Sequence, residues 1–98
     1  MEIIKTLNGD ELTLQVKGEL NVASSKELED VISNSLKGIT KLIFDFSELA
    51  YISSSGLRTL LIAQKIMLKH GQMIVRGCNE DVMDIFAITG FKDILNIQ

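Results

Sequence analysis

In the middle of the chain the spacing of apolar residues changes, over a short stretch, from that of a strand to that of a helix. "KLIFDF", residues 41–46, is a nearly continuous apolar run, the pattern of a central strand covered on both faces. Leu57, Leu60, Leu61, Gln64, Met67 and Leu68 then trace one face of a helix, with Arg58, Lys65 and Lys69 mostly away from it. His70 and Gly71 close that helix, and "QMIVRG", residues 72–77, supplies another short strand. Two strands joined through a helix lie parallel in one sheet, with a right-handed crossover. This excludes an all-helical or an all-β fold.

The flanks extend the same alternation. "EIIKTLNGDELTLQVKG" contains two strand patterns around Asn8-Gly9, a hairpin dipeptide. In the second arm Leu12, Leu14 and Val16 alternate with Thr13, Gln15 and Lys17, giving one buried and one wet face. In "NVASSKELEDVISNSLKG", Leu28, Val31, Ile32 and Leu36 have helical spacing, Ser24 and Glu27 fit a capping box, and Gly38 is placed to end the helix. Asn79 is placed to cap a third helix, with Glu80 and Asp81 in its first turn and Val82, Ile85 and Phe86 on its apolar face. Thr89-Gly90 ends it, and "DILNI" has room for a short final edge strand. The predicted order is β-β-α-β-α-β-α-(β). It makes an α/β sandwich with three helices and a mixed, mostly parallel sheet of four to five strands, in one domain over residues 1–98.

Composition narrows the functions open to such a fold. Ten basic against thirteen acidic residues leave a net charge of −3, whereas a nucleic-acid binder needs a basic stripe to neutralise phosphates. Cys78 is the single cysteine and His70 the single histidine, so an intramolecular disulfide and the usual His- or Cys-rich metal sites are excluded. No cofactor is expected. The N-terminus has no signal-peptide pattern and no apolar run is long enough to insert in a membrane. The chain reads as soluble and cytoplasmic.

In a parallel sheet the segments that follow the strands emerge at one edge, where ligands and partners usually bind. Those segments hold Asn21, Ser53 to Ser55, and Cys78-Asn79. A serine before a helix is a natural N-cap worth about 1 kcal/mol, and Asn21 is an alternative cap for the first helix. Gly56 is the less expected residue, since glycine costs up to about 1 kcal/mol against alanine inside a helix; its use there lets something approach the backbone closely. From spacing alone, a plain cap and a functional loop are equal readings. A serine nucleophile needs a base within hydrogen-bond reach. His70 lies about 22 Å from Ser55 along the same helix at ~1.5 Å per residue, so catalysis is not expected. Cys78 precedes a helix N-terminus, a setting that lowers thiol pKa values, but no base or second cysteine accompanies it; it reads as a half-buried turn residue. There remains a hydroxyl at a helix N-terminus able to carry a phosphate, with Arg58 about one turn along to pair with it.

"LIFDFSELAYISSSGLRTLL" resembles the signature of STAS domains, the family of bacterial anti-sigma factor antagonists: a buried strand, Asp-Leu/Phe-Ser, a loop ending in Asp-Ser-Ser-Gly-Leu, and a helix. "VKGELNVASSKELEDVI" resembles the family's Gly-Glu-Leu-Asp segment and first helix, and "ITGFKDILNI" its closing helix and strand. The resemblance implies a non-enzymatic binding switch. A serine kinase that is also the anti-sigma factor phosphorylates the serine before the glycine and weakens the complex; a phosphatase restores it. By position the phosphoacceptor is Ser55, with Ser54 as second choice. The partner-binding edge comprises Asn21, Ser53, Ser54, Ser55, Gly56 and Arg58. Ser53 and Asn21 stand where the family usually or often has aspartate, and both replacements remove negative charge from that edge. They keep open a second reading, a STAS subunit of a transport or signalling assembly that binds its partner without phosphorylation. A small-molecule sensor with its ligand near Gly56 is a third.

Overall fold

A computed structural model describes residues 1–98. The chain opens with a hairpin of β1 (Glu2–Asn8) and β2 (Glu11–Leu20), paired antiparallel from Glu2↔Lys17 to Asn8↔Glu11. The connecting residues are Gly9 and Asp10, one step later than the Asn-Gly pattern suggests. Gly9 has φ +65° at the first central position of the turn, which a two-residue hairpin fills with glycine. Leu12, Leu14 and Val16 are buried as their alternation requires.

Helix α1 (Val22–Ser35) follows, then β3 (Lys41–Asp45) and β4 (Leu49–Ile52), helix α2 (Ser54–Met67), β5 (Gln72–Arg76), helix α3 (Glu80–Thr89) and a single 3-10 turn at Phe91–Asp93. The sheet order is β1-β2-β3-β5, with β4 also paired to β2. β2 is long enough to hold two parallel neighbours in succession: β3 pairs with it from Glu11↔Lys41 to Gln15↔Asp45, and β4 from Gly18↔Leu49 to Leu20↔Ile52. The expected order therefore lacks one strand, and α2 crosses over from β4 rather than from β3. The break between β3 and β4 is a tight turn, with Asp45 accepting from the Ser47 amide at 3.0 Å and Leu49 N–H donating to the Phe46 carbonyl at 3.0 Å. The final edge strand is also reduced. It amounts to one parallel bridge, Val75↔Ile97, with Val75 N–H to the Asn96 carbonyl at 2.9 Å and Gln98 N–H to the Val75 carbonyl at 2.8 Å.

The three helices pack on one face of the sheet. Buried residues of α1, α2 and α3 join Leu12, Leu14, Leu42, Phe44, Met73 and Val75 in one cluster of 22 residues. Ile43 and Ile74 point to the opposite face and lie outside the cluster, although they are only 5% and 6% exposed. The apolar run at β3 thus does not mark a strand between two helical layers. Its outer side is a sheet face on which charged residues alternate and pair, as in Lys41–Glu11 at 3.6 Å and Lys17–Glu48 at 3.3 Å.

Candidate functional site

The register Leu20↔Ile52 puts the ends of β2 and β4 side by side, and Ser53 N–H donates to the Leu20 carbonyl at 2.8 Å. The next residue on each strand is the N-cap of a helix: Asn21 for α1 and Ser53 for α2. Asn21 Oδ1 accepts from Ser24 N–H at 3.1 Å, and Ser24 Oγ accepts from Asn21 N–H at 2.8 Å. This is a reciprocal capping box. It starts three residues before the Ser24–Glu27 pair that the sequence offers; Glu27 is exposed and Ser24 is the third helical residue, 7% exposed.

The three consecutive serines separate by their surroundings. Ser53 Oγ accepts from Gly56 N–H at 3.2 Å, so the first serine is the cap. Ser54 is exposed. Ser55 is half-buried and lines a groove of about 390 Å³ between α1 and α2, together with Arg58 and Thr59 of its own helix and Val22, Ser25, Lys26, Glu29 and Asp30 of α1. The groove floor is small and polar. Thr59, 2% exposed, donates from Oγ1 to the Ser55 carbonyl at 3.1 Å, and Ser25, 3% exposed, donates to the Asn21 carbonyl. Both are local bonds that satisfy hydroxyls buried where the helices touch.

The room that Gly56 provides is used internally. A Cβ at this position would lie 2.8 Å from Ile52 Cγ1 and 2.9 Å from Leu20 Cδ2, so glycine lets the first turn of α2 settle onto β2 and β4. Gly56 is buried and offers no surface of its own. The third carboxyl-edge segment stands apart from the groove. Asn79 caps α3 by accepting from Val82 N–H at 2.8 Å, and its Nδ2 donates to the Leu49 carbonyl at 3.0 Å, at the opposite end of β4 from Ser53. Cys78 beside it is half-buried, and burial pushes its thiol up to about 11, the reverse of what a helix N-terminus does to an exposed thiol. His70 is exposed beyond the far end of α2.

Sequence reasoning misses the α1 side of the groove. Lys26, Glu29 and Asp30 read as an ordinary solvated helix face, and only the packing of α1 along α2 gives them a common site with Ser55. It also misses two exposed apolar side chains near the caps, Val22 at 73% and Tyr51 at 46%. A signal for Val22 does exist: with Asn21 as cap, Val22 falls off the Leu28–Ile32 stripe.

The STAS domain family profile matches residues 2–98. The chain belongs to the STAS domain family. This STAS domain is 31% identical over 84 residues to BtrV of Bordetella bronchiseptica, a candidate anti-sigma factor antagonist, across 84% of this chain and 72% of that protein. It is 25% identical over 97 residues to the anti-sigma-B factor antagonist of Listeria monocytogenes, across 97% and 85% of the two chains. Among solved structures, the anti-sigma factor antagonist SpoIIAA in its unphosphorylated form matches with a TM-score of 0.78 at 16% identity, over 99% of this chain and 87% of that one. A candidate anti-sigma factor antagonist from Thermotoga maritima matches with a TM-score of 0.88 at 23% identity, over 97% and 84%. At these identities the structural likeness is one of fold. The STAS signature in "LIFDFSELAYISSSGLRTLL" and the fold class agree with these matches.

Proposed function

We propose that this STAS domain is an anti-sigma factor antagonist, a non-enzymatic cytoplasmic module of residues 1–98 that binds an anti-sigma factor with serine kinase activity. Ser55 is its phosphoacceptor, and a phosphatase reverses the modification. The names of the relatives support the general role. The observation that carries the switch is the division of labour among the serines: Ser53 is committed to capping, while Ser55 opens on a groove that also holds Lys26 and Arg58. A phosphate there adds about −1.5 to −2 charges at a helix N-terminus, which favours an anion. Asn21, Ser54 and the exposed Val22 and Tyr51 form the surrounding docking surface, with Arg58 at its rim. Adding that charge beside apolar docking residues weakens the complex by desolvation and repulsion.

The test is incubation with the cognate kinase and ATP, followed by mass-spectrometric mapping and binding measurements. Phosphate on Ser55 and weaker kinase binding by Ser55→Asp are expected. Phosphate on neither Ser55 nor Ser54, with binding indifferent to Ser55→Asp, sinks the proposal.

One observation favours a second reading. Both caps that face the edge, Asn21 and Ser53, are neutral, which suits a partner bound without a phosphorylation cycle, as in a transport assembly. Recovery of a transport ATPase rather than a sigma-factor regulator in a pull-down from native cells distinguishes the two.

A further inference from the structure

The groove beside Ser55 is graded in charge along its length. Thr59 Oγ1 lies 3.4 Å from the Ser25 carbonyl, so Thr59 of α2 is level with Ser25 of α1. Both helices leave the same sheet edge and return against parallel strands, so they run in the same direction. At ~1.5 Å per residue, Ser55 lies about 6 Å from that level toward the helix N-termini, whereas Glu29 and Asp30 lie about 6–7.5 Å from it the other way. The serine and the carboxylates are therefore separated by about 12–13.5 Å along the groove, more than the ~8 Å screening length at physiological salt. The two cations fall in between. Helical side chains lean back over the preceding turn, which carries Arg58 over Ser55 on its own helix and Lys26 toward the groove mouth from the other. The ion pairs of the chain are Lys17–Glu48 and Lys41–Glu11, so Lys26 and Arg58 are not held by either. Both are exposed and able to reorient.

We propose that Lys26 and Arg58 form a two-helix clamp on the phosphate of modified Ser55, drawing it into the α1–α2 groove and bridging the two helices through it. This rests on Ser55 being the phosphoacceptor. In the unmodified form the same cations make no ion pair with Glu29 or Asp30 but line the groove with them and partly offset their charge. On modification they turn toward the more highly charged phosphate, which for Arg58 is also the nearer anion, leaving the carboxylates exposed on the groove wall. The switch thus changes the charge of two places at once, the serine itself and the acidic stretch of α1.

The clamp is tested with phosphoserine installed at position 55 during translation, so that no kinase is involved. The phosphate is titrated by ³¹P NMR in the wild-type sequence and with Lys26→Gln, Arg58→Gln and both. A phosphoserine otherwise titrates near pH 6, and the helix dipole alone lowers that value in every variant. The clamp is read from the differences: each single substitution raises the apparent pKa by about half a pH unit, and the double substitution by more. Thermal unfolding reads the bridge independently, since phosphate should stabilise the wild-type protein more than the double variant. Equal titration midpoints in the wild type and the double variant, with equal stabilisation, overturn the clamp. Failure of the kinase to modify Ser55 sinks the switch reading alone, because the installed phosphate still reports on the groove.

Discussion

Replacing Gly56 with alanine tests whether the position of the candidate site is set by core packing. The added Cβ would come within 2.8 Å of Ile52 Cγ1 and 2.9 Å of two Leu20 atoms. Those side chains are 2% and 0% exposed, so neither has open space to move into. Overpacking of this kind costs about 1–3 kcal/mol, whereas the gain in helix propensity is at most about 1 kcal/mol. The net expectation is a loss of about 1–2 kcal/mol, or a Tm lower by roughly 4–16 °C for a domain of this size. A further consequence is specific to the site. Gly56 N–H is the donor to the Ser53 cap at 3.2 Å, so lifting the first turn off the sheet weakens the cap and shifts Ser55 against the groove. Urea denaturation of Gly56→Ala, Leu20→Ala and the double variant gives the measurement. Leu20→Ala is costly alone, but it removes two of the three clashing atoms, leaving Ile52 Cγ1, so its cost should be smaller in the Gly56→Ala background. A Gly56→Ala protein as stable as the parent, or strictly additive effects in the double variant, would refute the packing argument.

Three other outcomes follow from the same structure. Ser53→Ala should lose about 1 kcal/mol by urea denaturation while Ser53→Asp loses little, because an aspartate at the N-cap accepts the same hydrogen bond and complements the helix dipole. Burial pushes the Asp45 carboxyl up, but the hydrogen bonds from Ser47 and the charge of Arg76 outweigh it and hold it below the ordinary value. A carboxylate depressed on folding contributes stability above its unfolded pKa and loses it as pH falls through the folded one. The stability gap between wild type and Asp45→Asn should therefore be constant near neutrality and close below about pH 4, as followed by denaturation at stepped pH. Cys78, raised from 9.0 to about 11 by burial, should carry roughly a hundredfold less thiolate than an unperturbed thiol at neutral pH. Iodoacetamide labelling should be correspondingly slow in buffer and speed up in denaturant; rapid labelling of the native protein would contradict its burial.

The parts of this fold legible in the sequence are those in which a residue's fate depends on its own element. Of the predicted stripe, Leu57, Leu60 and Met67 lie on the buried face of α2, Leu61 and Gln64 are half-buried, and Leu68, the C-cap, is exposed. Leu12, Leu14 and Val16 report the buried face of β2, because periodicity and burial are tied through the geometry of a single helix or strand. Capping is less definite. Asn21 and Ser24 both satisfy the local chemistry of a helix start, and the choice falls to Asn21 because β2 continues to Leu20 and delivers it to the sheet edge. β4 is harder again. "LAYI" buries only Leu49 and Ile52, a pattern too short to declare a strand, and it becomes one because the far half of β2 has backbone groups left to pair.

The sequence by itself therefore determined the α/β class, the three helices, the antiparallel edge hairpin and the placement of Ser53 to Ser55 at the start of a helix. Only the tertiary structure decided which serine caps and which faces a groove, that the space at Gly56 belongs to Leu20 and Ile52, and that Lys26, Glu29 and Asp30 share a site with Arg58. The physical reason is that these are relations between elements distant in the chain. Periodicity tells each helix which face to bury, but only the strand register tells it what lies alongside.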